Sequence, residues 1–315
     1  MKILITGGGG FQGSHLAEHL LAQGHQISVL NTFSERSICN LSKIKDKINL
    51  IWGSITDKEL IEKTVRGHDV VFHLAAHINV DESLKDPVVF FYANILGTYN
   101  VLEAIRKNGG RLIYASTCEV YGDGHNLKEG ELLDEAAELR PNSPYAASKA
   151  SADRICYSYY RSFDLDVTIV RPFNVFGERQ KSGRFGALIP ILTARALKGE
   201  DLAVFGTGEA VRDYSHVSDT IRGYDLVLNN QNLKGKVINF ASGQNTSVID
   251  IANYIAAKFG VKVAHAAPRP GEVTRFPADI FFARSLGYKS AVSIWQGLDR
   301  YIEWAKQNRG MFIDS

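Results

Sequence analysis

Ile3-Leu4-Ile5-Thr6-Gly7-Gly8-Gly9-Gly10-Phe11-Gln12-Gly13 is the stretch that decides the fold. A short apolar run, read as a buried strand, meets four glycines, and Ser14 to Gln23 then reads as a helix. Leu16, Ala17, Leu20 and Leu21 fall on one face of that helix, and Gly24 can stop it. Gly8, Gly10 and Gly13 satisfy G-x-G-x-x-G, and Gly7, Gly10 and Gly13 the wider G-x-x-G-x-x-G. Bare backbone is needed here for three reasons. The turn is tight, a pyrophosphate must approach the chain, and helix must pack on strand. The helix N-terminus then offers N–H groups to the phosphates. Placed after the first strand of a βαβ unit, the motif is a dinucleotide fingerprint.

Outward from this turn the first half alternates strands and helices. Ile27–Leu30, Leu50–Trp52, Val70–Leu74, Leu112–Ala115 and Asp166–Arg171 read as strands. Thr56 and Glu59 fit a capping box for the helix after the third strand. Two long helices are expected over Val88–Arg106 and Pro144–Phe163. This alternation predicts an α/β fold, a Rossmann-type doubly wound parallel sheet covered on both faces. Beyond Arg171 the rhythm weakens into a smaller mixed α/β domain, with a strand near Val237–Phe240 returning to the main sheet. The expected division is a cofactor domain of 1–174 plus about 217–240, and a substrate domain of 175–216 and 241–315.

Composition narrows the partners. The 315 residues carry 36 Lys plus Arg against 34 Asp plus Glu, a balance of +2 that gives no general field for nucleic acid or an anionic membrane. No apolar run reads as a membrane span of about 20 residues, and the N-terminal residues do not read as a signal peptide. Cys39, Cys118 and Cys156 are odd in number and form no CxxC pair, which points to a reducing cytoplasm. His15 and His19, and His73 and His77, stand four apart, but neither pair has the Glu of H-E-x-x-H, and no metal is expected.

Three clusters carry the chemistry. The acidic residue expected about 20 positions beyond the glycines, to bind a ribose, is here Asn31, with Thr32 and Arg36 close by. Asn can bond a hydroxyl but does not repel a 2′-phosphate, so NAD is favoured and NADP stays open. Tyr145-Ala146-Ala147-Ser148-Lys149 places Tyr145 and Lys149 on one helix face, where an ammonium would favour the phenolate and fit it for proton transfer. At the end of the Leu112 strand, Thr117, Cys118 and Glu119 offer a hydroxyl, a thiol and a carboxylate in succession.

Together with His73-Leu74-Ala75-Ala76-His77, Asn94-Ile95-Leu96-Gly97-Thr98, Arg171-Pro172-Phe173-Asn174-Val175-Phe176-Gly177, Val204-Phe205-Gly206-Thr207-Gly208, Arg212-Asp213-Tyr214 and Pro268-Arg269-Pro270-Gly271-Glu272, these clusters resemble the extended short-chain dehydrogenase/reductases of the nucleotide-sugar epimerase/dehydratase family over nearly the whole chain. Ser116-Thr117-Cys118-Glu119-Val120-Tyr121-Gly122 is most similar to dehydratases of UDP-N-acetylglucosamine, including the tunicamycin-pathway type.

The resemblance implies bound NAD that oxidises the sugar at C4, with Tyr145 as base, Lys149 tuning it and Thr117 on the C4 oxygen. Glu119 fills the position of the C5 base, and Cys118 stands where the family has an acidic residue. A UDP-hexose dehydratase is therefore expected, forming either a 4-keto-6-deoxy sugar or a 5,6-ene, with a UDP-hexose 4-epimerase as the alternative and a UDP-glucuronate decarboxylase or a silent nucleotide-binding regulator behind it. For the cofactor the resemblance implies Gly7, Gly10, Phe11, Gln12, Gly13, Asn31, Thr32, Arg36, Ser54, Ile55, Leu74, Ala75, Ala76, Asn94, Phe173 and Val175, besides Tyr145 and Lys149. For the substrate it implies His77, Glu119, Asn174, Arg184, Leu188, Val204, Phe205, Arg212, Arg269 and Glu272. It also implies a homodimer through the two long helices.

Overall fold

The strand before the glycines, β1 (Lys2–Thr6), lies inside a seven-stranded parallel sheet, one strand off its centre. The computed structural model describes residues 1–122, 127, 130–182, 187–267 and 275–310. To one side of β1 lie β2 (Gln26–Asn31) and β3 (Asn49–Trp52); to the other lie β4 (Val70–His73), β5 (Arg111–Ala115), β6 (Val167–Pro172) and the strand Val237–Phe240. Strand order reverses between β1 and β4, which opens a crevice at their carboxyl ends. The returning strand pairs with β6 in parallel, Val237 opposite Ile169, as its apolar run predicts.

Apolar side chains cover both sheet faces. One layer joins Ile3, Ile5 and Phe72 to Leu16 and Leu20 of the first helix and to Ile221 and Tyr224. The other joins Leu4, Val71 and Leu112 to Val101, Ile105, Ala152 and Cys156. A separate core collects Phe176, Leu192, Val204, Ile251, Leu298 and Tyr301 from the later chain.

Element ends differ from expectation where backbone donors find other partners. The first helix runs Phe11–Ala22, three residues earlier than its apolar stripe, because Gly10 is already its N-cap. The box of Thr56 and Glu59 does not form. Asp57 caps the helix Lys58–Val65, its carboxylate accepting the Leu60 N–H at 3.0 Å, while the Thr56 hydroxyl meets Ser54 Oγ at 2.8 Å. A charged oxygen at the N-cap accepts the helix donors better than a hydroxyl does. Short helices at Glu35–Asn40 and Val80–Lys85 carried no readable periodicity.

The helix expected over Val88–Arg106 spans Pro87–Asn108 and passes through a π-turn at Phe91–Leu96. By length and composition this one stretch is apolar enough to cross a bilayer, contrary to the reading of the sequence by runs; half of it is buried in the fold, against the neighbouring helices. The helix Pro144–Phe163 has the expected bounds, with Ser143 Oγ accepting the Ala146 N–H at its start and left-handed Asp164 at its end.

One buried polar network ties these parts together. Arg171 on β6 is 1 % exposed and donates Nε and Nη2 to the two oxygens of Asp153, at 2.9 and 3.0 Å. Its Nη1 donates to the Tyr121 hydroxyl at 2.9 Å, which donates to Asn239 Oδ1 at 2.7 Å. The Asn239 N–H in turn donates to Glu135 Oε1 at 2.9 Å. Four segments are thus fixed to β6. Removing one partner of a desolvated pair strands the other charge, so Asp153→Ala should lower unfolding free energy by about 3–5 kcal/mol. Urea unfolding measures this, and a loss under about 1 kcal/mol would show that the pair is not desolvated as described.

Candidate active site

The glycines pack as the fingerprint requires. Gly7 has φ +72°, and a Cβ on it would lie 2.7 Å from the Ala75 nitrogen. A Cβ on Gly13 would strike the Gly7 carbonyl oxygen, so only bare backbone lets the helix approach the turn. No side chain caps the first helix and no acidic residue stands in its first turn, leaving Phe11, Gln12 and Gly13 at an open, electropositive end. This cradle fits a dinucleotide pyrophosphate. At its rim the Asn31 amide lies against Gly9, and Thr32 is exposed.

Other residues expected at the cofactor have narrower uses. Leu74 N–H donates to the Thr6 carbonyl at 3.1 Å and Ala75 N–H to the Thr6 hydroxyl at 3.3 Å, holding the Leu74–Ala76 loop on the glycine turn. Ile55 is buried, and any side chain on Gly97 would collide with it. The Arg36 guanidinium is turned toward Gln180, donating to its carbonyl at 3.3 Å. Val175 is half-buried in a two-residue strand.

Two expectations need correction. Phe173 is fully buried in the main core, its ring 6.1 Å from Tyr121, so its side chain offers no surface to a ligand. Asn94 is 1 % exposed with its amide already committed: Oδ1 accepts the His77 N–H at 2.8 Å, and Nδ2 donates to the His77 carbonyl at 2.9 Å and to Ser148 Oγ at 2.8 Å. It positions the loop and the Tyr145 helix, and the π-turn is what aims it inward.

At the carboxyl end of β5, Thr117 caps a single turn, Cys118–Tyr121, its hydroxyl accepting the Glu119 N–H at 3.3 Å. Tyr145 stands one residue into its helix, with its phenol hydrogen-bonded to Thr117 and under the negative charge of Glu119. Burial first, and then Glu119, push this phenol well above its ordinary range, while Thr117 opposes. Cys118 is 3 % exposed, between the Thr117 side chain and the backbone of Asn174; burial, and then Glu119, push its thiol up strongly. Half-buried Glu119 is also raised by burial, against the charge of Arg212. The structure therefore brings Thr117, Cys118, Glu119, Tyr145, Asn174 and Arg212 together. Asn174 adopts a left-handed φ of +31°, and its Nδ2 donates to the Asp213 carbonyl at 3.0 Å.

Lys149 departs from the expected pairing. Its ammonium donates to the Ala115 carbonyl at 2.6 Å and lies 4.3 Å above the Tyr114 ring, and Tyr145 gains no lowering from it. Burial lowers the Lys149 pKa to about 8, opposed by Cys156 and Asp153. Val204 and Phe205 lie on the strand Leu202–Phe205 and Leu188 opens the helix Leu188–Leu197; Val204 is in the later core and Leu188 packs against it, while Phe205 is half-buried. His77 is exposed beside Phe90. Ser54 bonds Thr56. Arg184, Arg269 and Glu272 lie outside the described residues.

The histidine pairs do not converge. His15 donates to the Glu178 carbonyl at 2.9 Å, His19 pairs with Asp225 at 3.4 Å, and His73 lies between Thr6 and Thr98. Among the described residues no three His, Cys, Asp or Glu side chains gather as a metal site. The structure adds Ser148, His73, Arg171 and Asp153, which the sequence reading passed over as working residues. The available signal was an arginine inside an apolar strand, which demands a buried carboxylate.

A glycine-cradled dinucleotide site at the switch point of a parallel sheet, with a buried tyrosine and a threonine facing it, defines a nucleotide-dependent enzyme of the Rossmann type. The chain belongs to the NAD dependent epimerase/dehydratase family, whose model matches residues 3–241. It is 34% identical over 323 residues to a dTDP-glucose 4,6-dehydratase of Streptomyces niveus, covering 98% of this chain and 94% of that one. Among solved structures it is similar to a Streptomyces venezuelae dTDP-glucose 4,6-dehydratase with NAD bound, at TM-score 0.91 and 33% identity over 99% of both chains. It is equally similar to a Thermotoga maritima UDP-glucose 4-epimerase with UDP-glucose, at TM-score 0.91 and 31% identity over 98% of this chain and 100% of the other. The protein is accordingly a nucleotide-sugar dehydratase or epimerase.

Burial of His73 has a measurable cost in acid. Burial, and then Lys149, lower its folded pKa to about 3, below the ordinary value of 6.5. The unfolded chain binds the extra proton between these values, so stability is complete above pH 6.5 and falls toward pH 3. At pH 5 this one group should remove about 2 kcal/mol. Urea unfolding of the wild type and of His73→Gln at pH 7 and pH 5 measures it, and an equal acid loss in both proteins would refute the assignment.

Proposed function

We propose that the protein is an NAD-dependent dehydratase of a UDP-hexose, with UDP-N-acetylglucosamine the expected substrate. Glu119 carries this reading. An epimerase needs no base beyond its tyrosine, yet here a carboxylate is held beside Thr117 and Tyr145, partly desolvated and faced by Arg212.

NAD held in the glycine cradle would supply a hydride acceptor that can also give the hydride back. The chain's own groups handle the protons. Tyr145 must be ionised to receive the proton of the C4 hydroxyl, with Thr117 holding that oxygen. The resulting ketone acidifies C5–H, and Glu119 takes that proton. Cys118, held as a thiol by burial, gives its proton to the C6 hydroxyl, which departs as water. Lys149, whose ammonium donates to the Ala115 carbonyl, would orient the nicotinamide ribose of the bound cofactor. Asn174, Arg212 and Arg269 hold the diphosphate, with Arg184, Leu188 and Glu272 completing the substrate side and the backbone of Val204 and Phe205 meeting the base. The substrate segments are 175–216 and 241–315. Two copies associate through Pro87–Asn108 and Pro144–Phe163, whose exposed Val88, Tyr92 and Phe163 suit an apolar interface. Free Cys39, Cys118 and Cys156 suit a reducing cytoplasm.

Incubation with UDP-N-acetylglucosamine should give a product lighter by one water; a product of unchanged mass would establish epimerisation instead. Glu119→Gln should lower dehydration about 10²–10⁴-fold. Because ionised Glu119 is the active form and burial raises its pKa, wild-type kcat should fall on the acid side above the usual carboxylate range. Retention of full dehydration by Glu119→Gln would remove it as the base.

A further inference from the structure

His73 was set aside as a metal ligand, yet its hydrogen bonds form a single directed chain. Thr98 Oγ1 donates to the Asn94 carbonyl at 2.6 Å. Its one proton is thereby used, so toward His73 Nε2, 3.0 Å away, it must accept, and Nε2 carries the hydrogen. Nδ1 is then an acceptor, and the Thr6 hydroxyl donates to it at 2.7 Å. The same Thr6 oxygen accepts the Ala75 N–H at 3.3 Å. Thr6, His73, Thr98 and Asn94 are each at most 1 % exposed, so no competing water reaches the chain.

Both ends of this chain reach working parts. Ala75 is the residue against which Gly7 packs, and Thr6 immediately precedes the glycines. At the other end Asn94 grips the His77 backbone and donates to Ser148 Oγ, which donates to the Tyr145 carbonyl at 2.7 Å.

We infer that His73 is a positioning residue, locked as the neutral Nε2–H tautomer, that sets the distance between the glycine-turn cradle and the Tyr145 helix. A simple core histidine would need its partners satisfied but would not need those partners to be the residue preceding the cradle and the clamp of the catalytic helix. The catalytic part of this inference rests on the proposed function; the tautomer and the cofactor effect do not.

The ¹⁵N-edited imidazole spectrum of the whole protein should show His73 with the hydrogen on Nε2 and no titration from pH 8 to pH 5. Thr98→Val keeps the side-chain volume and cuts one link, and His73→Gln keeps a donor and an acceptor. Each should weaken NAD binding about tenfold by titration calorimetry. In the sugar assay each should lower kcat while KM for the sugar nucleotide stays within about twofold. Links of one chain do not add, so the double variant should bind NAD no more weakly than the weaker single one. An Nδ1–H tautomer, additive losses, or a folded Thr98→Val protein with wild-type NAD affinity would overturn the inference. Should no sugar be turned over, the spectrum and the NAD titrations still decide it, and only the functional proposal falls.

Discussion

The site depends on a charge that never meets solvent. Arg171 enters the sheet on β6 among apolar neighbours and survives there because Asp153 matches its fork with two oxygens while the Tyr121 hydroxyl and the Glu135 carbonyl accept from Nη1. Asp153 belongs to the stretch of the Tyr145 helix that follows Lys149, and Tyr121 ends the turn that carries Cys118 and Glu119. Asn239 and Glu135 extend the same network to the returning strand and the segment beside it. Desolvation makes such an arrangement intolerant of partial loss. Tyr145, Cys118 and Glu119 therefore inherit their spacing from a pair that is itself buried.

The ionisable groups of the site share one environment. Burial raises Glu119, Cys118 and Tyr145 and lowers Lys149. Each is pushed toward its uncharged form, and Arg212 opposes that push at Glu119 and Cys118. Such a site stores protons rather than charges.

Much of the architecture was legible because it follows from local rules. A strand running into glycines, a helix with an apolar stripe, and a second strand at βαβ spacing leave few alternatives. Tyr145 and Lys149 were legible as a helical pair, and Thr117 to Glu119 as residues at a strand end. What could not be read was which partner each polar group would choose. Lys149 lies with Ala115 and Tyr114 rather than with Tyr145, because the β5 carbonyl accepts its ammonium. Asn94 spends its amide on His77 and Ser148, partners 17 and 54 residues away. Asp57 displaces Thr56 as a cap because both stand near the same donors and the charged one wins. Hydrogen-bond competition of this kind is settled in three dimensions, and spacing along the chain carries no record of it.

The π-turn at Phe91–Leu96 has a consequence for the helix as a whole. A wider turn shifts the angular phase of everything beyond it, so the two ends of Pro87–Asn108 obey different helical wheels. Before the turn, Val88 and Val89 look outward; beyond it, Val101, Leu102 and Ile105 settle into the sheet layer. One continuous rod thus serves two surfaces that a regular helix could not face together, with Asn94 at the junction. The length of that segment is therefore under tighter constraint than its composition: one residue more or fewer would rotate either face by about 100°.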